Sequence, residues 1–187
     1  MGEQMSQAAT KIVCLGDSIT WGFPHGHYFS WVRMLQDELG IPVINQGLNG
    51  DDTGNMLHRF RHSVLDYEPS HVIVMGGLND VFMRIPYPVI VNNLQAIAEK
   101  AAANGIKTVF GTPTAVDYEE YERMIWRIRD WIYEYAENHG LPVIPFHQAF
   151  LNDDRSVKSQ YLLADGGHPT EEGFERLYRM IDLSIFS

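Results

Sequence analysis

Near one end the chain reads "KIVCLGDSITWGF", and near the other "ADGGHPTEEGF". The first stretch holds Ser18 just after a short apolar run. The second holds Asp165 and His168, three residues apart with two glycines between them. A serine hydroxyl is a weak nucleophile until a base within hydrogen-bond reach takes its proton. A histidine can be that base, and a carboxylate beside it fixes the tautomer and stabilises the imidazolium that forms. Two intervening glycines let the backbone turn sharply enough for one short loop to carry both groups. Acyl transfer also needs hydrogen-bond donors aimed at the developing oxyanion. The glycines of "NQGLNGDDTGN" can expose backbone N–H groups, and "GGLND" offers the side-chain amide of Asn79. The N–H of Ser18 is a third donor.

These residues work together only if the fold collects them. Short apolar runs alternate with segments of helical period. "KIVCLG", "IPVINQG", "HVIVMGG", "KTVFGTP" and "LPVIPF" read as five strands. "YFSWVRMLQDELG" has helical spacing at Phe29, Trp31, Val32, Leu35 and Leu39, with Gly40 as its C-cap. "DTGNMLHRFRHSVLDY" reads as one helix, with Met56, Leu57, Phe60, Val64 and Leu65 facing inward. "PVIVNNLQAIAEKAAANG" and "YEEYERMIWRIRDWIYEYAENHG" are longer helices, and "TEEGFERLYRMIDLSIF" is the last, capped by Thr170. Strand and helix alternating five times predict a three-layer α/β sandwich around a five-stranded, mostly parallel sheet. Right-handed crossovers place helices on both faces, and ligands bind beyond the carboxyl ends of the strands. "GDS", "NQGLNGDD", "GGLND" and "GTPTAVD" all leave that edge. Residues 11–187 are expected to form a single domain, and residues 1–10 a disordered tail.

The blocks "GDSITWG", "NGDDTGN", "GGLND" and "DGGHP" resemble, in order and separation, the four sequence blocks of the SGNH (GDSL-type) hydrolases. The resemblance runs from Lys11 to the last helix. It implies a flavodoxin-like SGNH fold, with Ser18 as nucleophile and Asp165 and His168 completing a triad. It also implies that Gly50 and Asn79 complete the oxyanion hole with Ser18. Gly50 is preferred over Gly47 because "GDDT" matches the family's continuation. Isoleucine stands where the family's nickname has leucine. The activity implied is cleavage of carboxylic esters through an acyl-enzyme on Ser18. Short-chain esters, lysophospholipids, thioesters and acetylated sugars are all candidate substrates, and the small size of the chain favours a short acyl group. Trp21, Phe23 and Pro113 are expected to contribute to the acyl pocket.

Composition narrows the partners. With 14 basic against 24 acidic residues, the formal charge is −10 and no basic run appears. Binding to a phosphate backbone, which relies on clustered cations, is not expected. No apolar run approaches the ~20 residues of a membrane span, so no stable membrane insertion is expected. "MGEQMSQAAT" lacks the apolar region of a secretory signal, which makes a cytoplasmic location the expectation. Its first six residues match a myristoylation pattern, read as chance. The single cysteine, Cys14, excludes an internal disulfide framework and is expected to be buried and inert. His25 and His27 are too few for a metal site, and the reaction requires no cofactor. A metal-dependent phosphoesterase is the rival enzyme reading, since "GDD", "ND" and "DGGH" are rich in ligands. A non-catalytic carbohydrate-binding module is the third reading. The aromatic spacing of the long helix leaves a homo-oligomer open.

Overall fold

The computed structural model describes residues 10–187. The tail expected at 1–10 and the myristoylation pattern therefore fall, Thr10 apart, outside the described residues. In chain order the elements are β1 (Ile12–Gly16), α1 (Ser18–Trp21), α2 (Trp31–Leu39), β2 (Val43–Gly47), α3 (Thr53–His58) and α4 (Phe60–Ser63). They continue with β3 (His71–Met75), α5 (Leu78–Phe82), α6 (Tyr87–Ala103), β4 (Lys107–Gly111), α7 (Glu119–His139), β5 (Val143–Ile144) and α8 (Glu171–Tyr178). The strands pair in the order β2-β1-β3-β4-β5, all parallel.

β1 and β3 are buried at every position, as continuous apolar runs in a covered parallel sheet should be. Cys14 lies in β1 with no exposure, and burial pushes its thiol up. Met56, Phe60 and Val64 face the core as expected, while Leu57 and Leu65 are partly buried against it. Because the chain leaves β1 for β2 on one side and returns to β3 on the other, a crevice opens beyond the ends of β1 and β3. In parallel α/β sheets this switch point is where ligands bind.

Four elements differ from the sequence reading. The helix expected at "DTGNMLHRFRHSVLDY" breaks at Arg59 (φ −85°, ψ 2°) into α3 and α4. The last helix stops at Tyr178, and a 3₁₀ turn at Leu183–Phe186 follows, where Asp182 accepts a hydrogen bond from the Ser184 N–H. That side chain offers the backbone a local alternative to the helix ladder. β5 has two residues because Pro142 and Pro145, which lack an N–H, flank it. Phe29 lies in a 3₁₀ turn and is exposed, since Ser30 caps α2 one residue later by accepting from the Arg33 N–H.

Candidate active site

Ser18 follows β1 by one residue and opens α1. Asp17 caps that helix by accepting the Ile19 N–H at 2.9 Å. The cap turns the chain away from the sheet edge and leaves the Ser18 side chain at the floor of the crevice, 8% exposed. The turn is tight. A β-carbon on Gly47, at the end of β2, would stand 2.1 Å from the Trp21 backbone nitrogen, so only glycine lets α1 lie there.

His168 reaches the same point from the other end of the sequence. Its Nε2 is 2.9 Å from Ser18 Oγ, and its Nδ1 is 2.6 Å from Asp165 Oδ2. The loop between them is held by its own backbone. Asp165 Oδ1 accepts the N–H groups of Gly167 and His168, each at 3.0 Å, and the Leu163 N–H donates to the His168 carbonyl at 2.8 Å. Gly166 takes φ +70°, which a side chain would resist. Partial burial disfavours the charged form of Asp165, but the His168 and Gly167 N–H groups and the imidazole outweigh it and lower the carboxyl. Asp165 is thereby kept as the carboxylate that orients the ring.

The expected donors lie on the first three strand ends. Among the described residues, no hydrogen-bond partner engages the N–H of Ser18 or of Gly50. Asn79, at the start of α5, donates one amide hydrogen to the Asp51 carbonyl at 2.9 Å, leaving the other to point elsewhere. Gly50 (φ +77°) lies in the turn that Asp51 closes onto Leu48, exposed and outside the lining of the cleft proper. Gly47 already donates its N–H to Asn45 Oδ1 at 2.9 Å, so of the two glycines Gly50 is the one with a free donor.

The cleft at Ser18 and His168 encloses about 40 Å³, with Ile19, Leu78, Phe82 and Val116 as its apolar side. Of the residues expected to line it, Phe23 lies against the His168 ring, with ring centroids 4.7 Å apart. Trp21 and Pro113 are elsewhere: Trp21 packs on the His27 ring, and Pro113 is buried with its carbonyl accepting from Arg129 Nε. Val116 and Arg129 escape the sequence reading. Arg129, fully buried in α7, pairs with Glu122 and donates to the carbonyls of Pro113 and Thr114, fixing the loop that brings Val116 to the cleft. In sequence it looks like any surface cation of an amphipathic helix. A larger cavity of about 480 Å³ opens at the opposite edge of the sheet, around Ile106, Lys107 and Pro142, away from these groups.

The remaining carboxylates near Ser18 hold loops. Asp80 accepts from Thr53 N at 3.0 Å and Thr53 Oγ1 at 2.5 Å, and Asp51 pairs with Arg59. Among the described residues, no three His, Cys, Asp or Glu side chains converge as metal ligands would. His25 stands 3.7 Å from Glu171. No helix of the described residues is long and apolar enough to cross a membrane.

The GDSL-like lipase/acylhydrolase family matches residues 14–176. An arylesterase of Vibrio mimicus is 30% identical, over 89% of this chain and 84% of that protein. The esterase TesA of Pseudomonas aeruginosa is 27% identical, over 91% and 85%. Among solved structures, a lipolytic G-D-S-L family protein from Desulfitobacterium hafniense superposes with TM-score 0.84 at 27% identity, covering 92% of this chain and 99% of that one. A lipase/acylhydrolase from Enterococcus faecalis gives 0.79 at 26% identity, over 91% and 92%.

Proposed function

The chain belongs to the GDSL-like lipase/acylhydrolase family, and on that premise we propose that it hydrolyses short-chain carboxylic esters through an acyl-enzyme on Ser18. The observation that carries the reading is the unbroken relay from Ser18 Oγ through His168 to Asp165. Ser18 Oγ attacks the acyl carbonyl carbon as His168 Nε2 takes its proton, and Asp165 stabilises the imidazolium. The carbonyl oxygen becomes an oxyanion, received by the N–H groups of Ser18 and Gly50 and the Asn79 amide. The tetrahedral intermediate collapses, the C–O bond to the alcohol breaks, and His168 returns the proton to the departing oxygen. Water then attacks the acyl-enzyme with His168 as base, releasing the acid and restoring the Ser18 hydroxyl.

The size of the cleft supports a short acyl group. A water needs on the order of 10–15 Å³ of such space, so about 40 Å³ accommodates roughly three non-hydrogen atoms. An acetyl group fills that space and a propionyl group exceeds it by one atom, which favours simple esters and acetylated sugars over lysophospholipids and long-chain thioesters. The relative named arylesterase is consistent with this reading. On this reading Phe23 and Phe82 flank the departing alcohol.

The test is a series of p-nitrophenyl esters of increasing chain length, with wild type and Ser18→Ala. Turnover is expected to be highest for acetate or propionate and to drop on the order of a millionfold in the variant, to background. Undiminished hydrolysis by folded Ser18→Ala would refute the assignment.

A further inference from the structure

The geometry points to Arg59 as the positioning residue for the oxyanion donors, acting through Gly16, Gln46 and Asp51 without touching substrate. This rests on the acyl-enzyme reading above and adds a requirement that reading does not contain. Arg59 sits at the break between α3 and α4, and its side chain, 17% exposed, runs back to the carboxyl ends of β1 and β2. Its Nη2 donates to the Gly16 carbonyl at 3.1 Å and the Gln46 carbonyl at 2.8 Å. Its Nε donates to Asp51 Oδ2 at 2.8 Å, and its Nη1 to Ser63 Oγ at 3.0 Å. One rigid, planar fork thus joins two strand ends to the loop that follows the second.

Two of those acceptors, Gly16 and Asp51, connect directly to the expected donors. The Gly16 carbonyl precedes Ser18 by two residues. The same oxygen accepts the Leu48 N–H at 3.0 Å, and Leu48 begins the turn that contains Gly50. The Asp51 N–H closes that turn, and the Asp51 carbonyl receives the Asn79 amide at 2.9 Å. The three donors come from three separate loops, and the Arg59 network reaches all three. The Asp51 side chain is 2% exposed, so its charge is costly anywhere but against the guanidinium. That restricts the turn to one position. A lysine would carry the charge as a single point and could not span the same acceptors.

Catalysis is sensitive to such placement, since a misplacement of about 1 Å costs on the order of a hundredfold in rate. Arg59→Lys keeps a cation opposite Asp51. It is expected to lower kcat for a short-chain p-nitrophenyl ester about a hundredfold while KM moves less than about threefold. The double variant Arg59→Gln with Asp51→Asn leaves no charge unpaired, and is expected to lose kcat similarly with the fold retained. Activity is expressed per site titrated by a fluorophosphonate, so a variant that merely unfolds in part shows fewer sites at unchanged kcat. Affinity for a trifluoromethyl ketone, whose adduct with Ser18 carries an oxyanion, is expected to fall in step with kcat/KM. Retention of kcat per titrated site within about twofold in both variants, or equal losses in inhibitor affinity and substrate KM, would overturn the role of Arg59. A wild type that cleaves esters without labelling at Ser18 would overturn the underlying reading and this assignment together.

Discussion

The two halves of the candidate site are built differently. The Ser18 half is hung directly from the sheet ends: Gly16 and Met75 are paired in register, and Asp17, Asp51 and Asp80 are each no more than 3% exposed. The His168 half is carried by an irregular segment between β5 and α8, and its imidazole and carboxylate are 30% and 47% exposed. Where the proposed nucleophile and oxyanion donors sit, hydrogen bonds to sheet ends set position. Where the base sits, the loop's own carboxylate does, since Asp165 orients the ring with one oxygen and ties the backbone with the other. Position is bought by burial in the first half and by one side chain in the second. The placement of the second half therefore rests on a single side chain, and the first carries the greater stability cost.

The largest effect sharpening that contrast, apart from loss of the nucleophile, is expected at Asp165. Asp165→Ala removes both the partner of His168 Nδ1 and the acceptor of two backbone N–H groups. Turnover is expected to fall on the order of a thousand- to ten-thousandfold, measured as kcat on a short-chain ester. A loss below about tenfold would show that the loop holds His168 without its carboxylate. On the sheet-built side, Asn79→Ala removes one donor and frees the Asp51 carbonyl. It is expected to cost about a hundred- to a thousandfold in kcat, with KM little changed. A change confined to KM would place Asn79 in substrate binding instead.

The smallest effect concerns what burial costs. Asp17, 2% exposed, is pushed up to about 6 by desolvation, against the opposing Ile19 N–H and the charge of His168. The unfolded value is 3.8, so the folded state binds this proton more tightly. Stability from this group is full below about pH 4 and is lost as pH rises through about 6. At about 1.4 kcal/mol per pH unit, the span from 3.8 to about 6 corresponds to on the order of 3 kcal/mol. Asp17→Asn keeps an acceptor for the Ile19 N–H without the charge. It is expected to raise unfolding free energy at pH 8 by up to that amount and to match wild type at pH 4. Equal stability of the two at pH 8 would contradict the cost assigned to burial.

These contrasts also explain what could be read in the sequence. Ser18 and Asn79 stand just past the ends of β1 and β3, and the periodicity that locates the strands locates them, whereas Asp165 and His168 lie well beyond β5 and are legible from their own close spacing around two glycines. The fold class follows from the same alternation. Side-chain direction within a loop does not. Pro113 lies just past β4, yet Arg129 draws its carbonyl inward and the cleft receives Val116 instead. Ile19, Leu78 and Phe82 are apolar residues at the starts and ends of short helices, where nothing in the spacing separates a cleft wall from core. The break at Arg59 was hidden for a related reason. The helical period continues across it, while the side chain that reaches the strand ends finds its partners 8 to 43 residues away.

The central claim is that the hydroxyl at position 18 is the group the imidazole activates. Intact-mass analysis after exposure to a fluorophosphonate tests it directly. Wild type should gain one adduct that peptide mapping places on Ser18, His168→Ala should label far more slowly, and Ser18→Ala should gain none. An adduct of equal extent in Ser18→Ala, or one mapped to another residue in the wild type, would contradict it.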